Sequence, residues 1–366
     1  MGDGRRNRNR LAHGGNDPGL GRSLRGRDAA LLEGNWPISA TAIGITGSAA
    51  AAVALVTSYS LARYETRIFP SMGISGIDIH KADRPMRAEM GGLAVLAALA
   101  VGSTLYVGLD APFDSSTVLF AAIASTVALT GLVGVADDVV ELSQKYKPFL
   151  IVAASIPLMA LLWERGSIFV PIIGHVDLGL LYPLVAVPLA ITTSANFSNL
   201  LAGFNGLESG CATISIGTMT LLSAVTGHTT VAAFGLILTF AFLGFLLLNW
   251  YPARIFPGDS GTLVAGAALA AIGLASGLEF EAVILSIPAA MDFALKAMHR
   301  HPFKQRHLFG NTRIRPDGTL EPAPYPALVH SFMKVSRLRE RDLVLSILAM
   351  QVLFALAATV IEVSFG

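Results

Sequence analysis

Ten apolar stretches set the terms for any fold this chain can adopt. They run approximately over residues 39–61, 90–109, 118–136, 149–163, 180–195, 211–227, 230–248, 261–277, 280–297 and 342–362. Several fall short of the roughly 20 residues that an untilted crossing of a bilayer needs. Helices that line a polar cavity can end early, because their backbone there meets protein or water instead of lipid. The chain is 53% hydrophobic and only 14% charged, against the roughly 25% charged residues of a soluble domain. The expected fold is therefore all-α: a polytopic membrane protein with about ten transmembrane helices. Ala- and Gly-rich faces such as Gly47–Ala52 and Gly261–Ala271 suit close helix–helix contact. The same composition excludes global disorder, a disulfide scaffold and a coiled coil. A net charge of +1 gives no reason to expect a nucleic-acid partner. The single cysteine, Cys211, cannot form an intramolecular disulfide and is too few for structural zinc, so it reads as a small core residue.

Residues 1–35 are different: seven arginines among Gly, Asn and Asp, with no apolar period. They read as a disordered basic tail, and residues 36–366 as a single transmembrane domain. The loops after the odd-numbered apolar stretches carry eighteen of the 26 Lys and Arg residues, whereas the other loops carry only Arg165. The positive-inside rule makes the first set cytoplasmic, although it places the basic tail outside, against its own charge.

The conspicuous polar residues lie in these same loops or at the adjoining helix ends. In order, the loops read GIDIHKADRPMRAEMGG (76–92), GVADDVVELSQKYK (134–147), NFSNLLAGFNGLESG (196–210), NWYPARIFPGDSG (249–261) and a long final loop, 298–341, containing HRHPFKQRH (299–307). Asp137 and Asp138 repel each other at a membrane boundary and call for a lysine or a divalent cation. Lys147 could reach them if the chain folds back. Asp259 sits in a Pro-Gly-Asp-Ser-Gly turn opening a helix, where backbone N–H groups could hold a phosphate or oxyanion. Asn196, Asn199 and Asn205 place amides on an apolar frame. Asp and Asn oxygens, with few sulfur or imidazole groups, suit Mg2+ or Mn2+ better than zinc. Arg300, His301, Arg306 and His307 add cations that could hold a diphosphate. Each element alone also fits an ordinary turn or a solvated surface. Five of them in order on one membrane face point to Mg2+-assisted phosphoryl chemistry on a lipid substrate.

With these loops in view, the chain resembles the polyprenyl-phosphate N-acetylhexosamine-1-phosphate transferases over about residues 76–310. ADDVVELSQKYK, NFSNLLAGFNGLESG and NWYPARIFPGDSG look most similar to the eukaryotic and archaeal branch, the UDP-GlcNAc:dolichyl-phosphate GlcNAc-1-phosphotransferases. The resemblance implies transfer of GlcNAc-1-phosphate from UDP-GlcNAc to a polyprenyl, dolichyl-type phosphate, releasing UMP. That reaction opens lipid-linked glycan assembly, as in N-glycosylation. By the same resemblance Asp137 and Asp138 are the family's aspartate pair and Lys147 contacts the donor pyrophosphate. Asp259 binds Mg2+, for which Mn2+ can substitute, and Asn199 lies near the metal. Asn205 reads uracil and Phe256 stacks on it. Lys81, Arg84 and Asn196 complete the substrate contacts. In the final loop Arg306 and His307 compete with Arg300 and His301 for the family's Arg-His element. The resemblance further implies a cytoplasm-facing cleft, a plasma membrane of archaeal type and, as is frequent in the family, a homodimer. It leaves a one-step transfer and an aspartyl intermediate both open; the one-step route is simpler, because the lipid phosphate is already anionic.

Two rival functions remain at this level: the same chemistry on another UDP-N-acetylhexosamine, and a transporter using intramembrane carboxylates. Few charges lie inside the apolar stretches; Asp292 is one, read as part of a structural pair or an edge of the site. Trp250 and Tyr251 are expected to anchor a helix end at the interface. Glu208 reads equally as a donor contact or a helix-start carboxylate.

Overall fold

A computed structural model describes residues 44–109, 114–143, 145–201, 203–298 and 312–365. The basic tail and the HRHPFKQRH segment, with Arg300, His301, Arg306 and His307, lie outside the described residues.

Every apolar stretch contains helix. The order is α1 (Gly44–Ile68), a hairpin of β1 (Ser75–Ile77) and β2 (Met86–Ala88), α2 (Gly92–Leu109), α3 (Ser115–Val140), α4 (Lys147–Ala154) and α5 (Ile156–Leu161). A second hairpin follows, β3 (Ser167–Val170) and β4 (Gly174–Asp177), then α6 (Val187–Leu200), α7 (Leu207–Val225), α8 (Thr229–Asn249), α9 (Gly258–Ser276) and α10 (Glu279–Met298). The chain closes with β5 (Arg313–Ile314), β6 (Leu320–Glu321), α11 (Leu328–Val335) and α12 (Glu340–Phe365). All three strand pairs are two-residue to four-residue antiparallel hairpins, so the sheet content belongs to connections.

Among the described residues six helices are long and apolar enough to cross a membrane: Gly44–Met72, Gly92–Leu109, Ser115–Val140, Thr229–Asn249, Gly258–Ser276 and Glu340–Phe365. The other apolar stretches are interrupted or polar. Ser155 separates α4 from α5, a π-helical turn at Tyr182–Ala186 leads into α6, and α10 contains Pro288 with Asp292 and Lys296 beyond it. Many large apolar side chains on the helix exteriors are exposed, Val118, Leu132, Leu353 and Leu356 among them. In water such a surface would drive association; in a bilayer it is the lipid-facing side. The protein is integral to a membrane.

Helix α9 is the axis of the fold. Almost all of it is buried, and this Ala-, Gly- and Leu-rich helix packs against α2, α3, α6, α7 and α10. Such small residues let backbones approach closely. One close approach matters for function. A Cβ on Gly134 of α3 would lie 2.5 Å from the Asp259 carbonyl oxygen and 2.7 Å from Ser260 Cα. Any side chain there would push α3 away from the first turn of α9, which is where the polar loops gather. At the other end of α9, Arg165 donates to the Leu274 carbonyl at 2.6 Å and pairs with Glu279 at 3.2 Å. The single basic residue of the minority loops is thus spent on tying connections together.

Candidate active site

Carboxylates from two helix ends meet at a lysine from a third. Asp137 lies in the last turn of α3, where Glu141 adopts φ +48° and turns the chain back. Lys147 is the first residue of α4, and its side chain is 2% exposed. Its Nζ donates to Asp137 Oδ2 at 2.9 Å and to the Asp259 carboxylate, which comes from the first turn of α9. The Asn199 side chain, from the last turn of α6, lines the cleft beside Asp259. The spacing in sequence between Lys147 and Asp259 is 112 residues. What brings them together is the Gly134 approach of α3 to α9.

Asp138 has a different task. Its two oxygens accept the backbone N–H groups of Asp259 at 2.7 Å and Ser260 at 3.0 Å. These are among the amides at the start of α9 that have no partner within the helix. The Pro-Gly-Asp-Ser-Gly turn therefore does hold an oxyanion, but the oxyanion is the protein's own Asp138. Gly258 makes this fit: φ is +66°, and a Cβ would come within 2.6 Å of Asp138 Oδ2. Asp138 fixes Asp259 in place, and Asp137 is the member of the pair that reaches Lys147.

Beside this cluster opens a cleft of about 250 Å³, lined by Asp78, His80, Glu89, Asn199, Asn205, Glu208, Phe256 and Asp259. Backbone pairing holds its rim: Phe256 N–H donates to the Ala88 carbonyl at 2.8 Å, and Gly91 N–H to the Phe256 carbonyl at 2.9 Å. The Glu89 carboxyl is raised above the usual glutamate range, first by burial and then by the negative charge of Asp138.

A second lysine closes the other end of the cleft. Lys81 pairs with Asp78 at 3.4 Å and with Glu340, donates to Asn205 Oδ1 at 3.2 Å, and lies 4.2 Å from the centre of the Tyr251 ring. Asn205 Oδ1 also accepts Ala253 N–H at 2.8 Å, and Glu340 accepts the Asn205 N–H at 3.0 Å. His80 stacks on Phe204 with centroids 4.1 Å apart. Both lone pairs of Asn205 Oδ1 are taken, which leaves the Nδ2 donors as the part of this side chain that can read a ligand.

Of the residues singled out in the sequence, Asp137, Lys147 and Asp259 meet directly with Asn199 beside them, and Lys81, Asn205 and Phe256 hold or line the other end. Two do neither. Arg84 is exposed at the hairpin turn between β1 and β2, with φ +43°. Asn196 donates back to Thr192 O of its own helix at 2.7 Å. Trp250 packs over Gly206, and Tyr251 faces Lys81. Asp292 pairs with Lys296, the structural role its position suggested. Asp78, Glu89 and Glu340 were missed as site residues. Asp78 and Glu89 stood within the first loop, but Glu340 had the look of an ordinary carboxylate at a helix start.

Comparison with known proteins identifies this arrangement. The model for "Glycosyl transferase family 4" matches residues 120–277, which span Asp137 to Asp259. A protein of Saccharolobus solfataricus is 33% identical over 291 residues, covering 78% of this chain and 88% of that protein. The chain belongs to glycosyl transferase family 4. That relative, and one of Sulfolobus acidocaldarius with 31% identity over 79% of this chain and 88% of its own, are provisionally named UDP-N-acetylglucosamine–dolichyl-phosphate N-acetylglucosaminephosphotransferases. A phospho-N-acetylmuramoyl-pentapeptide-transferase of Shouchella clausii is 34% identical over 42% of this chain and 51% of that protein. In this family 4 member the matched region contains the Lys147 cluster and most of the cleft. Lys81 and Glu340 lie outside it.

Proposed function

We propose that this family 4 protein transfers GlcNAc-1-phosphate from UDP-GlcNAc to a dolichyl-type polyprenyl phosphate, giving GlcNAc-diphospho-polyprenol and UMP. The observation that carries the reading is the convergence of Asp137, Lys147 and Asp259 beside a cleft lined by Asn199, Asn205 and Phe256, with Lys81 hydrogen-bonded to Asn205. The names of the archaeal relatives support the donor and the lipid class.

The lipid phosphate oxygen attacks the sugar-bearing phosphorus, and the bond from that phosphorus to the UMP oxygen breaks. The nucleophile is already anionic and needs little help from a base. The barrier is repulsion between two anions and the charge gathering on UMP. Lys147 is fixed by Asp137 and Asp259 where that charge develops, and its orientation costs nothing during the reaction. Phe256 offers a ring face for uracil, and the Asn205 Nδ2 donors face a carbonyl oxygen of the base. Lys81 can release one of its two carboxylates to meet the donor.

Residues present also fit a magnesium ion. Asp137 and Asp259 bring two carboxylates to one ammonium, Lys147, and Asp138 adds a third negative charge beside Asp259. The donor set is oxygen throughout, as Mg2+ or Mn2+ prefers. Asp259 and Asn199 would hold the ion, and it would supply neutralisation of the diphosphate charge.

A largely apolar cavity of about 280 Å³ lies between α6, α9 and α10, lined by Tyr182, Ala186, Phe197, Leu274 and Ile287. We read all ten apolar helices as crossings, residues 36–366 as one membrane domain, and the cleft as cytoplasmic on the charge bias of the loops. An archaeal plasma membrane suits the organisms of the relatives named above.

The test is UMP release by purified protein with UDP-GlcNAc and a polyprenyl phosphate, with Mg2+ and then with EDTA. Release that requires lipid, metal and this sugar is expected. Release only with a different UDP-sugar would move the donor assignment, and uptake into proteoliposomes without UMP release would replace the enzyme reading by a transporter.

A further inference from the structure

The connection between α6 and α7 carries one site residue on each side. Asn199, at the end of α6, lies beside Asp259. Asn205, just before α7, contacts Lys81 and Ala253 N–H. The path between them decides how far apart the two ends of the cleft lie. The described part of that path contains Gly203 at φ +129° and ends at Gly206 with φ +80°.

Two buried charged residues grip it from behind. Glu208 Oε1, on α7, accepts the Gly203 N–H at 2.6 Å. Lys296, 9% exposed on α10, donates to the Leu200 carbonyl, the residue next to Asn199. Lys296 is itself paired with Asp292 at 2.6 Å. Asp292 is 1% exposed, and its Oδ1 accepts the Leu328 N–H at the start of α11 at 2.8 Å. Lys296 is not among the residues that line the cleft. A buried ion pair is weak evidence for stability, since apolar side chains of the same volume often do as well or better. What the apolar replacement cannot do is hold a particular carbonyl at a particular place.

We propose that Lys296 is a positioning residue that, through Leu200, sets the separation between the diphosphate end and the nucleobase end of the cleft. The inference rests on the UDP-sugar reading given above. A ligand that engages both ends gains from the second contact only if the spacing matches its own length. A ligand engaging one end is indifferent to it.

The experiment compares two ligands on the full-length protein in detergent by calorimetry: UDP-GlcNAc, which spans the cleft, and UMP, which engages chiefly the nucleobase end. Lys296→Met should weaken UDP-GlcNAc by about tenfold or more and leave UMP within about twofold, as a misplacement on the order of 1 Å would. It should also lower kcat, and Lys296→Arg should restore most of both. The double variant Asp292→Asn/Lys296→Met removes both charges and keeps an acceptor for the Leu328 N–H, so it guards against misfolding from a lone buried carboxylate. It should show the same selective loss with a thermal midpoint close to that of the unaltered protein. Equal weakening of both ligands, or no weakening of UDP-GlcNAc, in both the single and the double variant would overturn the proposal. Failure of the unaltered protein to bind either ligand would instead sink the UDP-sugar reading, and the inference with it.

Discussion

The two ends of the cleft solve one problem in two ways. Each has a lysine held between two carboxylates: Lys147 between Asp137 and Asp259, Lys81 between Asp78 and Glu340. At the first end every member comes from a helix terminus, and the lysine side chain is 2% exposed. At the second, the lysine and Asp78 stand on a hairpin connection, the lysine is 13% exposed, and a ring face and an amide oxygen share it. Groups on helices are held more exactly in place than groups on loops. Charge stabilisation during a reaction needs a fixed cation, whereas recognition of a substrate tolerates, and often uses, a cation that exchanges partners. The helix-borne end is therefore assigned to chemistry and the loop-borne end to the donor.

That assignment can be broken most severely at Asp259. Asp259→Asn takes away a partner of Lys147 and the carboxylate best placed for a metal, and UMP release should fall by about 10³-fold or more. Turnover near normal would end the assignment. Lys147→Met should come next, with kcat/KM for the donor reduced by about 10²–10³-fold and lipid binding much less affected; it also leaves Asp137 and Asp259 facing each other without their shared cation. Lys81→Met tests the contrast itself. Its main effect should be a rise in donor KM of about tenfold, corresponding to roughly 1.4 kcal/mol, with kcat changed less. A loss in kcat as large as that of Lys147→Met would mean that both lysines serve the chemistry.

The smallest expected effect concerns Glu89, which borders the helix-borne end. Burial and Asp138 raise its proton affinity in the folded protein. The folded state then binds that proton more tightly than the unfolded chain, so this group's contribution is full at low pH and is lost as pH rises from the usual glutamate range through the raised value. Glu89→Gln should flatten the decline of the thermal midpoint across that window. An identical slope in the variant would show that Glu89 does not carry it.

Helix positions were legible because a bilayer leaves the backbone no other way to satisfy its polar groups, and each of the ten apolar stretches contains helix. The candidate site was legible as a set of loops on one face, since polar residues in so apolar a chain have few other reasons to cluster. Asp137 and Asp138 show where reading stops. Adjacent in sequence and alike in chemistry, they point to different partners: one to Lys147, the other to the amides that open α9. Glu340 lay 259 residues from Lys81, in a place where a carboxylate is ordinary.

Local pattern alone established the membrane setting, the helical segments and the kind of chemistry on offer, because hydropathy and residue type act over a few neighbours. Which carboxylate meets which lysine was decided by the packing of α3, α6 and α10 around α9. A hydrogen bond needs its partners within a fraction of an ångström, and here glycines such as Gly134 and Gly258, by letting backbones approach, bring residues more than a hundred positions apart to that distance.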